Sequence, residues 1–242
     1  MSRSALLAAL AAAVAIAGCG GSPAQPLDDR TLTDSAGSGP ATADEAADPV
    51  LVAALGDSIT AGSPLWDPDA RLRRQLPAGP DPRSQYEYWA ERELGETVRF
   101  RNCGVFGERT DEIARRLEDC ARQAEALIVQ GGINDIAQGR PIEDAARDLQ
   151  AIVRRGKELG LRTAIVDVLP WNNGYPDAAP EIRELNRSIA AIGEREHVRV
   201  LPFYATLEDP AAPGRMAPDL TIDGDHPSIA GYRRLGELIR VP

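Results

Sequence analysis

Five apolar runs rich in aliphatic and β-branched residues recur near residues 50–56, 98–103, 126–131, 162–169 and 198–203, and each reads as a strand buried on both faces. Helical patterns lie between them. The clearest spans 141–159, where Ile142, Ala145, Ala146, Leu149, Ile152 and Val153 fall on one stripe, Pro141 opens the helix and Gly160 closes it. Weaker helical patterns cover 84–95, 110–121, 179–195 and 228–240. Strands alternating with helices predict a parallel sheet of five strands covered on both sides, a three-layer α/β/α sandwich.

The first residues do not belong to that pattern. Met1-Ser2-Arg3 followed by the apolar stretch from Ala5 to Ala17 has the charged start and short apolar core of a secretory signal, so residues 1–18 are expected to be removed. Ile16-Ala17-Gly18-Cys19 resembles a bacterial lipobox, which implies cleavage before Cys19, acylation of that cysteine and a membrane anchor. Residues 19–49 are rich in Gly, Ser, Pro, Ala and Asp, have no apolar period, and read as a disordered, solvated tether. The folded domain is then 50–242, in an exported protein held at the cell surface or on a periplasmic membrane face.

Charge and missing motifs narrow the chemistry. The chain has a net charge of −10, which argues against a nucleic-acid partner. There is no phosphate-cradling G-x-x-x-x-G-K-[ST], no C-x-x-C and only two histidines, so no metal or cofactor is implied. What remains is a serine at the end of the first strand, in Gly56-Asp57-Ser58-Ile59-Thr60. A buried parallel strand breaking there lifts Ser58 into the crevice at the carboxyl end of the sheet, where open α/β sheets bind ligands.

A nucleophilic serine needs a base, a carboxylate to orient it and donors for an oxyanion. His197 leads into the last strand at the wrong sheet end, whereas His226 follows that strand in Asp223-Gly224-Asp225-His226-Pro227-Ser228. His226 is therefore the candidate base and Asp223 the candidate acid. Glycine-rich breaks after the second and third strands supply donors: Gly107 through its backbone N–H, with Gly104 as the alternative, and Asn134 through its amide.

Four such breaks, in this order, resemble the SGNH hydrolases, the GDSL esterase and lipase superfamily. Gly56-Asp57-Ser58-Ile59-Thr60 is similar to its first motif block, Asn102 with Gly104 and Gly107 to the second, Gly132-Ile133-Asn134-Asp135 to the third, and Asp223-x-x-His226 to the last. The resemblance implies a flavodoxin-like domain, a Ser58–His226–Asp223 triad, and an oxyanion hole formed by Ser58 N–H, Gly107 N–H and Asn134. It implies cleavage of O-acyl esters through an acyl-enzyme; acyl transfer on the same triad, lysophospholipase or lipase activity, and glycan binding without turnover are the alternatives.

The polar, proline-rich loops 61–83 and 170–179 point to short acyl groups on a carbohydrate or other polar alcohol, a small-molecule or glycan ester. Trp66 and Trp171 lie in these loops and could line a pocket or pack locally, while Trp89 is expected in helix core. Cys103 and Cys120 form an even pair in an exported chain, which favours a disulfide. A helix starting near Thr110 would carry Cys120 about 15 Å along its axis, which opposes one.

Overall fold

The computed structural model describes residues 48–240; the expected signal segment, the expected acylation site at Cys19 and the stretch read as a tether up to residue 47 lie outside the described residues. The five apolar runs form strands β1 (Val50–Gly56), β2 (Val98–Gly104), β3 (Ala126–Val129), β4 (Arg162–Val166) and β5 (Arg199–Leu201). All neighbours pair in parallel, in the order β2-β1-β3-β4-β5. This is the flavodoxin-like order, whose direction of winding reverses between β1 and β3.

Alternation along each strand divides the core. Ala53 and Leu55 of β1, Leu127 and Val129 of β3 and Ile165 of β4 face one side. There they meet helices α4 (Thr110–Arg115), α5 (Leu117–Cys120), α7 (Ile142–Glu158) and α8 (Ala179–Glu196). Val52 and Ala54, with Ala126, Ile128 and Leu201, face the other side. That layer contains α1 (Ser58–Ala61), α3 (Tyr86–Leu94), α9 (Phe203–Leu207) and α10 (Ile229–Glu237). Two short helices, α2 (Ala70–Arg73) and α6 (Ile133–Ala137), sit in the connections after β1 and β3. The stripe read between Pro141 and Gly160 is α7, with Ala145, Leu149, Ile152 and Val153 buried.

The helix expected over 110–121 is instead two pieces that meet at Arg116. The guanidinium of Arg116 donates to the carbonyls of Cys103 (2.6 Å) and Gly56 (3.0 Å) and to Glu108 Oε2 (2.5 Å), so tertiary bonds hold the break. Cys103 and Cys120 are bridged, with Cα atoms 6.0 Å apart. Helix length does not keep these two cysteines apart. Residues 105–109 leave β2 beyond Cys103, and the helical pieces run back along the strand, so distance travelled from Thr110 returns the chain toward Cys103. Arg101 Nη1 bonds the Cys120 carbonyl at 2.9 Å on the same return path.

Candidate active site

Ser58 stands directly after β1, at the point where the winding reverses. Asp57 caps α1 by accepting the Ile59 N–H at 2.9 Å, which turns the chain sharply out of the strand. Gly56 is required at the turn because a Cβ there would lie 2.2 Å from Thr60 Oγ1 and 2.5 Å from Gln130 Oε1. Gln130 Oε1 accepts from Asp57 N–H (3.2 Å) and Thr60 Oγ1 (2.9 Å), tying the Ser58 turn to the end of β3. Ser58 itself is 5% exposed.

The other candidates gather around it. His226 Nε2 lies 3.1 Å from Ser58 Oγ, and His226 Nδ1 lies 2.8 Å from Asp223 Oδ2. Asp223 Oδ1 also accepts the backbone N–H groups of Asp225 (2.9 Å) and His226 (2.7 Å), so one carboxylate shapes the loop and faces the ring. Burial alone would raise the Asp223 carboxyl, but the bonds from the His226 ring and these two amides outweigh it and hold the group below its ordinary range. Asp57 behaves in the opposite way. Complete burial lifts it from 3.8 to about 6, against the lowering effect of the Ile59 N–H it accepts, and its Oδ2 has no partner among the described residues.

The two glycines after β2 have different tasks. Gly104 N–H is taken by Asn102 Oδ1 at 2.9 Å, and a Cβ at Gly104 would sit 2.0 Å from Ala61 N, so this glycine lets β2 touch α1. Gly107 adopts φ 78°, and neither its N–H nor that of Ser58 has an acceptor among the described residues. Asn134, on α6, donates through Nδ2 to Glu108 O at 3.0 Å, and Gln138 Nε2 donates to Gly107 O at 3.2 Å. The loop carrying Gly107 is thus bonded to the element carrying Asn134, and Val105 N–H bonds Gly56 O (3.1 Å) at the end of β1.

His197 caps α8 in the left-handed region (φ 54°) at the amino-terminal end of the strands, away from Ser58. It borders a cavity of about 520 Å³ walled also by Val52, Leu127, Thr163 and Leu201. That cavity is apart from the Ser58 cluster, and the hydrogen-bonded Ser58 and His226 outweigh its size as a sign of chemistry. Among the described residues no group of His, Cys, Asp and Glu is arranged to hold a metal, and no helix is long and apolar enough to cross a membrane.

The family model for GDSL-like lipase/acylhydrolases matches residues 54–234. The chain belongs to this family. As a GDSL-family member it is a carboxylic ester hydrolase of the SGNH/GDSL type. Several solved structures share its fold. A member of the lipolytic protein G-D-S-L family from Veillonella parvula DSM 2008 is 21% identical, with 78% of this chain and 95% of that chain covered and a TM-score of 0.63. The lipase/acylhydrolase from Enterococcus faecalis is 21% identical over 78% and 92%, with a TM-score of 0.61. A GDSL-like lipase from Bacteroides thetaiotaomicron VPI-5482 is 18% identical over 79% and 88%, also at 0.61. A comparison with curated proteins found no match.

The bonds that brace this GDSL site were not foreseen from the sequence, although several of the residues that make them were singled out there. Trp171 Nε1 donates to Asp225 Oδ1 (2.5 Å), and Asn173 Nδ2 donates to Asp225 Oδ1 (2.7 Å) and Asp223 O (3.0 Å). Trp171 therefore clamps the loop of Asp223 and His226 while its ring packs on the core. Trp66 lies under the Arg73 guanidinium, 4.6 Å from it, and Trp89 is partly buried with its Nε1 on Arg83 O at 2.8 Å. Asp135, fully buried beside Asn134, accepts from Thr110 N–H (2.9 Å), Thr110 Oγ1 (2.9 Å) and Arg140 Nη1 (2.6 Å).

Proposed function

We propose that the protein hydrolyses short O-acyl esters of a carbohydrate or other polar alcohol through an acyl-enzyme on Ser58. The observation that carries this reading is the unbroken hydrogen-bonded line Asp223–His226–Ser58, with steps of 2.8 and 3.1 Å. Ser58 Oγ attacks the ester carbonyl while His226 Nε2 takes its proton; Asp223 keeps Nδ1–H directed away from the serine and stabilises the imidazolium. The negative oxygen of the tetrahedral intermediate is held by the unengaged N–H groups of Ser58 and Gly107 and by the second amide hydrogen of Asn134. When the C–O bond to the alcohol breaks, His226 returns the proton to the departing oxygen. Water then repeats the sequence on the acyl-serine and releases the carboxylic acid.

The short-acyl preference is supported by composition: residues 61–83 and 170–179 are polar and proline-rich. A long chain needs a continuous apolar groove, because each buried CH₂ contributes only about 0.8 kcal/mol. Measuring kcat/KM on p-nitrophenyl esters tests it. Values should peak between C2 and C4; a steady climb through C12 would replace this reading with a lipase or lysophospholipase.

A further inference from the structure

Exposed apolar side chains are not scattered evenly on this molecule. Among the described residues five large hydrophobic side chains are exposed, and three of them, Val105, Phe106 and Ile222, belong to the two loops that carry Gly107 and the Asp223–His226 pair. Phe106 is the most open, at 66%, and its ring lies near-parallel to the His226 imidazole, with centroids 6.2 Å apart and planes inclined by 29°. Ile222 is tied to the same histidine, its N–H bonding His226 O at 3.0 Å. A water-exposed phenyl ring beside a catalytic base gains little by packing alone, since two-thirds of its surface remains wet.

Which part of an ester meets that ring follows from the geometry of attack. The tetrahedral carbon on Ser58 carries four groups. One is Oγ; the second is the oxyanion, directed at the Ser58, Gly107 and Asn134 donors. The third, the alcohol oxygen, must lie against His226 Nε2 because it leaves with the proton that nitrogen holds. The acyl chain takes the remaining direction. Phe106 stands over His226, and so it borders the alcohol. We infer that Phe106 is a specificity-determining platform for a cyclic alcohol, whose apolar ring face stacks on the phenyl ring. This rests on the Ser58 reading above and narrows its polar alcohol to one built on a ring, such as a pyranose, which offers an apolar C–H face with hydroxyls at its edge.

The test varies the alcohol and the acyl group separately, using phenyl acetate, cyclohexyl acetate, methyl acetate and methyl butyrate. Phe106→Ala should lower kcat/KM for both ring acetates by about tenfold relative to its effect on methyl acetate, the size of one aromatic contact with the area it buries. Methyl butyrate should follow methyl acetate, and Phe106→Tyr should restore the ring preference. An equal loss on all four esters would mean that the ring only steadies His226 and would overturn the proposal. So would a loss that follows the acyl group, which would put Phe106 on the acyl side. Wild-type turnover of methyl acetate no faster than that of Ser58→Ala would instead sink the Ser58 reading, a different and recognisable failure.

Discussion

Two aspartates flank Gly224, and their carboxylates are committed to different partners. Asp223 accepts from the imidazole, whereas Asp225 accepts from Trp171 and Asn173. Asp223→Asn should lower kcat by about 10⁴, because the amide favours the wrong imidazole tautomer. Asp225→Asn keeps Oδ1 as an acceptor for both side chains, so steady-state kinetics should show a far smaller loss; the reverse order would reassign the carboxylate. Asp57 makes a prediction about pH. Its folded pKa of about 6 lies above its ordinary 3.8, so its contribution to stability is fully present below pH 3.8 and is lost as pH rises through 6. Asp57→Asn, which retains the oxygen that caps Ile59 N–H, removes that dependence. Urea unfolding at pH 4 and pH 7 should show the variant gaining about 2 to 3 kcal/mol on the wild type across the interval. A constant gap would contradict the burial argument. At this scale the sequence was legible where a candidate group falls just after a strand, as Ser58 and Asn134 do, whereas His226, beyond β5 and α9, was legible from its three-residue spacing after Asp223. The clamp on Asp225 was not legible, because Trp171 is 54 residues away and only folding pairs them.

Short elements at the carboxyl edge of the sheet are fixed to one another by buried polar bonds as well as by the apolar contacts of Ile113 and Ile136. Asp135 on α6 anchors the start of α4 through Thr110, and Arg140 neutralises it while also reaching Asp148 Oδ2 at 2.5 Å. Removing the cation leaves a carboxylate buried without its counter-charge. Arg140→Ala should therefore cost about 3 kcal/mol in denaturant unfolding. It should also lower kcat with KM nearly constant, because Asn134 is the neighbour of Asp135 and its donor matters most in the transition state. An effect below about 0.5 kcal/mol, typical of plain surface sites, would show that the network does not brace α6. The long helices were readable from their stripes, since burying one face of α7 requires apolar residues at helical spacing. The break between α4 and α5 was not, because arginine is a good helix former and the Arg116 kink comes from carbonyls of β1 and β2.

Across the whole domain the arrangement follows from sheet order. β1 and β3 are neighbours whose following connections diverge to opposite faces, which opens a crevice between the Ser58 turn and the Asn134 helix. The chain after β5 and α9 brings His226 to the same edge from a sequence separation of 168 residues, so His226 and Ser58 meet only in the completed fold. Alternating strands and helices were enough to foresee that layering, whereas the join between the Cys103 and Cys120 segments needed the direction of the returning helices. In the proposed reaction Ser58 is the nucleophile and His226 activates it. Labelling the full chain with a fluorophosphonate and locating the adduct by mass spectrometry tests this most directly. One adduct is expected, on the peptide containing Ser58, absent in Ser58→Ala and formed far more slowly in His226→Ala. An adduct on another residue, or labelling of Ser58→Ala at the wild-type rate, would contradict it.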